Sequence, residues 1–164
     1  MDSRAIATAL EAEHPSPPVH LDSPLLPEVE ALIPGAMGPL ESIFLLRVPS
    51  VLLGPGSIPF WMDTRRSYTG GVDLDEYAAG VDVDQAWRDA AAGIGKVTEL
   101  LNRTEGPFFA GEEVGYVDFV WAGYLLFVKV QGEDVWEKVL EASGDGKAHE
   151  RLLEALAPWT KRDN

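Results

Sequence analysis

Residues 111–128 read GEEVGYVDFVWAGYLLFV, an apolar stretch that any fold of this chain must accommodate, and near its front stands a carboxylate, Asp118. Burying a carboxylate is costly unless it is hydrogen-bonded or paired. Three roles are open to it: a general acid in a hydrophobic pocket, an interruption in a membrane span, or a device that starts a buried helix. The span fails on length, because residues 119–128 are free of charge over only ten positions, whereas a bilayer needs roughly 18 to 20. The acid would have its pKa raised by an apolar pocket but would need a second polar group. No histidine, lysine or further carboxylate follows Asp118 before Lys129.

The helix-start role accounts for more of the stretch. With Gly115 as N-cap, Asp118 falls at the third helical position, where its carboxylate reaches back to the Gly115 amide and meets the positive end of the helix. Val114 and Phe119 are spaced to form a hydrophobic staple across the same cap. The residues that follow leave no polar face, so this helix is expected to run through the middle of a helical core, with Gly123 admitting close approach of another helix.

The flanking sequence is also helical in period. DQAWRDAAAGIGKVTELLNR, residues 84–103, carries Trp87, Ala90 or Ala91, Ile94, Val97 and Leu101 on one stripe, with Asp82 or Asp84 opening it. EDVWEKVLEAS and KAHERLLEAL give two more helices, and SRAIATALEA, residues 3–12, gives a short one capped by Ser3. Residues 27–48 are helical but interrupted at Pro34-Gly35 and Gly38-Pro39, predicting two short helices or one sharp kink. VPSVLLGPGS reads as a loop, Ser57 as the cap of a helix IPFWMDTRRSY, and GGVDLDEYAAGVDVD as an acidic connector. No convincing strand alternation occurs, and the fold class is all-α.

Three prolines in HPSPPVHLDSP, Pro15, Pro17 and Pro18, mark a linker between packed units. The expected organisation is 1–14 as the last helix of one unit, 15–26 as linker and 27–164 as a helical domain. The 46% hydrophobic content of 164 residues suffices for a sizeable core. A net charge of -14 disfavours nucleic acid and anionic membrane surfaces as partners. The absence of cysteine removes thiolate catalysis, disulfides and cysteine-ligated metals. Residues 2–14 carry Asp2, Arg4, Glu11 and Glu13 in place of an apolar signal, which makes the cytoplasm the default address. His14 and His20 lack a third ligand, so no metal site is expected, and His149, beside Glu150 and Arg151, reads as part of a solvated face.

PFFAGEEVGYVDFVWAGYLLFV resembles the segment of cytosolic glutathione S-transferases in which a turn and a Ser/Thr-x-x-Asp capping box lead into the buried helix of the C-terminal domain. PFWMDTRR, PSVLLGPGS before it and the tail WEKVLEASGDGKAHERLLEALAPW resemble the fungal, beta-etherase-like branch. DSRAIATALEAEHP is similar to the last helix of that family's thioredoxin-like domain. The resemblance implies that Asp2 and Ser3 hold the glutamyl end of glutathione, a co-substrate and no resident cofactor. It implies a small apolar electrophile as second substrate, in a pocket lined by Phe60, Trp61, Arg65, Tyr68 and Tyr116, with Trp121 as a further candidate. Plain core packing is the alternative for the aromatic residues, and carboxylate pairing for Arg65 and Arg66. It further implies a homodimer, for which 27–48 offers an apolar face.

Two departures stand out. Gly115 replaces the capping Ser/Thr, at a cost of a few tenths of a kcal/mol. The family's catalytic Tyr, Ser or Cys belongs to its N-terminal domain, whose strands and catalytic residue would precede Met1, so no catalytic residue is expected in 1–164 and the chain alone is expected to be inactive. The alternative is a non-catalytic helical module for protein interaction or apolar ligands.

Overall fold

The computed structural model describes residues 3–161, which form helices α1 (Ser3–Glu13), α2 (Leu25–Met37), α3 (Glu41–Val51), α4 (Ile58–Arg65), α5 (Leu74–Ala79), α6 (Val83–Leu101), α7 (Tyr116–Gln131), α8 (Glu133–Ser143), α9 (Gly146–Ala155) and α10 (Ala157–Thr160). Short 3-10 turns at Gly38–Leu40 and Pro55–Ser57 precede α3 and α4. Among the described residues there is no strand, only an isolated bridge between Phe108 and Gly111. The all-α fold is as expected.

The core lies where α2, α6, α7 and α8 meet. Leu26, Val29, Ala90, Ile94, Val97, Trp121, Leu125, Val128 and Val139 are all fully excluded from solvent there. The stripe on α6 is the one its period specifies, opened by Asp82, whose carboxylate accepts from the Gln85 amide at 2.9 Å. The close helix crossing is made by Gly93, not Gly123. A Cβ on Gly93 would lie 2.6 Å from the Ala36 amide nitrogen and 2.6 Å from the Gly35 carbonyl carbon, so α2 and α6 touch backbone to backbone. A Cβ on Gly123 meets nothing within 4 Å. It lies on an outward stripe of α7 with Leu126 and Val130, which are 38% and 46% exposed. The central helix therefore buries most of its surface rather than all of it.

Of the expected interruptions, the one at Gly38-Pro39 is present and separates two helices, whereas the other prolines do not end theirs. Pro34 lies inside α2 and Pro49 inside α3, and the only break falls at Gly38–Leu40, where the turn tightens. Residues expected as loop at 48–51 are thus helical. The run Leu25–Val51 is also long and apolar enough to cross a bilayer, more so than 119–128. Its Leu26, Val29, Ala36, Leu40 and Phe44 belong to the core of this bundle.

Ser57 makes no side-chain cap, because the helical turn already starts at Pro55. The acidic connector contains α5, capped by the Asp73 carboxylate accepting from the Asp75 amide at 3.1 Å. Its acids suit a helix start, where negative charge meets the positive dipole end.

The largest correction concerns His149, which is wholly buried. Trp121 Nε1–H donates to its Nδ1 at 3.0 Å, so the ring proton sits on Nε2 and is given to Thr98 Oγ1 at 2.9 Å. Thr98 in turn donates to the Ile94 carbonyl at 3.1 Å. This chain ties α9 to α7 and α6, and burial pushes the imidazole pKa down to about 4, with Asp145 pulling weakly the other way.

Candidate functional site

A cleft of about 350 Å³ opens where α3 and α4 diverge. Met37, Glu41, Phe44, Leu45 and Val48 recur every three or four positions and so present one face of the α2–α3 run to it. Trp61, Arg65 and Tyr68 close the α4 side at the same spacing, Gly38 lies at the α2–α3 junction, and Phe127 of α7 contributes at 5.2 Å edge-to-face from Phe44. The lining is apolar apart from Glu41, Arg65 and the Tyr68 hydroxyl.

Local sequence explains the shape of the α4 wall. Pro49 has no N–H, so the Leu45 carbonyl four residues back loses its helical donor. Trp61 Nε1–H points at that carbonyl from 3.4 Å, a long bond that nonetheless orients the indole across the cleft. The Arg65 guanidinium carbon then stacks 4.0 Å from the Trp61 ring centre and 5.2 Å from that of Tyr68. Arg66 behaves differently and pairs with Asp73 at 3.3 Å.

Of the five residues expected to line one apolar pocket, Trp61, Arg65 and Tyr68 come together and two do not. Phe60 is 73% exposed and absent from the cleft lining, because it is next to Trp61 on a helix and neighbours in sequence diverge by about 100°. Tyr116 lines a separate cavity of about 240 Å³ with Ala7, Leu10, His14 and Val19, drawn there by its amide bond to the Val19 carbonyl at 2.6 Å. Trp121 is committed to the His149 network. Conversely, Met37, Glu41, Phe44, Leu45, Val48 and Phe127 were not anticipated as lining. Their spacing was visible, but its continuity through Gly38-Pro39 and Pro49 was not.

Asp118 is fully buried and remote from this chemistry. Its Oδ2 accepts from the Gly115 amide at 2.7 Å, as the capping geometry requires, and its Oδ1 accepts from the Phe109 amide at 2.9 Å. Burial raises its pKa above the usual carboxylate range, and the two amides pull it back. The second bond fixes the turn 106–111, where Gly106 and Gly111 have φ of +110° and +86° and a Cβ on Gly106 would strike Gly111 at 2.5 Å. Ser3 opens α1 on an exposed site, and Asp2 lies outside the described residues. Among the described residues no three His, Asp or Glu side chains converge as a metal site would require.

The family model for the glutathione S-transferase C-terminal domain matches residues 29–159. The glutathione S-transferase of Ceriporiopsis subvermispora, solved in complex with glutathione, superposes with a TM-score of 0.79 at 28% identity, covering 99% of this chain and 68% of that one. No curated protein sequence matches. On the match over 29–159, this chain belongs to the glutathione S-transferase family through its C-terminal domain.

Proposed function

We propose that this chain supplies the helical half of a glutathione transferase of the fungal, etherase-like kind, and that the cleft between α3 and α4 holds the apolar part of the electrophilic co-substrate. In such a reaction the glutathione thiolate forms a carbon–sulfur bond while the leaving group departs with its electron pair. The thiol needs a hydrogen-bond donor to stabilise its thiolate. The cleft offers mainly aromatic and aliphatic walls, with Glu41, Arg65 and the Tyr68 hydroxyl as its polar groups, and the role assigned to it is to bind and orient. Glutathione itself falls to Asp2 and Ser3, since a carboxylate end is suited to a serine hydroxyl and the positive end of a helix, and an acid to the substrate ammonium. Turnover then depends on a thioredoxin-like domain alongside this one.

The observation that carries the reading is an aromatic-walled cleft in a domain of this family. A neutral fluorescent aryl probe, phenylnaphthylamine, tests it directly. Saturable binding is expected, weakened at least tenfold by Trp61→Ala and by Gly38→Trp, at a lining position where an added Cβ meets no atom within 4 Å. Binding untouched by both variants overturns the assignment. A conjugation assay with glutathione and an activated aryl halide should show little turnover by the chain alone, and robust turnover abolished by Ser3→Ala would contradict the division of labour.

A further inference from the structure

Resting on that assignment of the cleft, the geometry points to a narrower ligand class: an aromatic compound bearing an oxyanion, carboxylate or sulfonate, with its ring between Phe44 and Trp61 and its anion on Arg65. The chain holds 27 acidic against 13 basic residues, so its overall field repels anions and an anionic ligand needs a local cation. Arg65 is the cation lining this cleft.

Arg65 is also unspent. Among the described residues its N–H groups find no hydrogen-bond acceptor and no carboxylate, although its neighbour Arg66 has paired with Asp73. The contact over Trp61 at 4.0 Å uses no hydrogen-bond donor and leaves the N–H groups that form bidentate bonds to an oxyanion. The ring beneath it holds the planar group in place, so little side-chain freedom remains to be lost on binding. Glu41, the other charged residue of the lining, repels the same oxyanion. The two charges therefore orient the ligand, with its anion toward α4 and away from α3, and a neutral or cationic aryl group lacks that alignment.

The test compares two probes with the same aromatic ring systems, anilinonaphthalene sulfonate and phenylnaphthylamine, on the full chain, at low and moderate salt. Wild type is expected to bind the sulfonate more tightly, with salt weakening the sulfonate alone. Arg65→Met, which keeps the apolar stem, is expected to weaken the sulfonate about tenfold and the neutral probe less than twofold, and Arg65→Lys to restore part of the loss. Near-ultraviolet circular dichroism and the melting temperature establish that each variant is folded. Equal weakening of both probes by Arg65→Met makes the guanidinium an apolar wall and overturns this inference while leaving the cleft as binding site. Sulfonate binding no tighter than neutral binding, and indifferent to salt and to Arg65→Met, overturns it as well. Neutral binding unaffected by both Trp61→Ala and Gly38→Trp refutes the cleft assignment beneath it.

Discussion

Asp118 allows the sharpest calculation. Replacing it by alanine leaves the amides of Phe109 and Gly115, which now lie 2.9 Å and 2.7 Å from carboxylate oxygens, buried without acceptors. Each orphaned donor costs about 1–3 kcal/mol. The carboxylate itself carries a desolvation cost that the variant no longer bears, as its raised pKa shows, which places the net loss near the lower end, at about 3 kcal/mol. For a domain of this size that is roughly 6–12 °C in melting temperature. Asp118→Asn separates the acceptor argument from loss of volume. Its side chain has one carbonyl and one NH2, so in either orientation one backbone amide faces another donor, and about 1–2 kcal/mol should be lost. The pH trend has a definite sign too. A folded pKa above 3.8 means the folded state holds that proton longer, so the wild-type margin over Asp118→Asn should narrow as pH rises from 3.8 toward neutrality. Thermal unfolding at pH 7 is the assay. Asp118→Asn as stable as wild type, or Asp118→Ala within about 2 °C of it, would refute the double-acceptor account.

Gly93→Ala should lower stability by about 2 kcal/mol despite alanine's better helix propensity, because the new Cβ collides with backbone atoms of α2 that no rotamer change can move; denaturant unfolding measures it, and a more stable variant would dissolve the crossing argument. His149 should titrate near pH 4 by NMR and remain the Nε2–H tautomer above that, as its bonds to Trp121 and Thr98 require. Because its folded pKa lies below 6.5, the stability it contributes is present above pH 6.5 and is lost as pH falls toward 4, by about 3 kcal/mol. The stability gap between wild type and His149→Asn, which cannot titrate, should shrink by that amount between pH 7 and 4.

Elements whose apolar period was unbroken were legible in the sequence. The cap at Gly115, the stripe on α6 and the limits of α8 needed only spacing and capping chemistry. Prolines misled, because Pro34 and Pro49 were weighed by the hydrogen bonds they remove and not by the packing that holds their helices regardless. The expected break at Gly38-Pro39 is present as the turn Gly38–Leu40, but the face made by Met37, Glu41, Phe44, Leu45 and Val48 runs across it, and missing that continuity hid one wall of the cleft. His149 was judged by Glu150 and Arg151, its neighbours in sequence. The signal that places it inside was Leu152 and Leu156, three and seven positions on at helical spacing, both fully buried, the first in α9 and the second at its C-terminal cap. The partner of Asp118 at Phe109 had no signal of this kind, because a backbone amide in a turn has no side chain to read.

The parts that identify the domain and the parts that would choose its ligand are physically separate. Asp118, His149, Trp121 and Gly93 lie at or near zero exposure and connect α2, α6, α7 and α9, so changes there act on stability. Helix α4, by contrast, has no buried residue, and it meets α3 through the long Trp61–Leu45 bond. A helix so loosely docked can exchange side chains without reaching the core. Trp61→Ala should therefore cost about 1 kcal/mol or less in global stability while removing ligand binding, the opposite of the Asp118 variants. If Trp61→Ala instead unfolds the domain with a loss comparable to Asp118→Ala, α4 is part of the core and the separation is wrong.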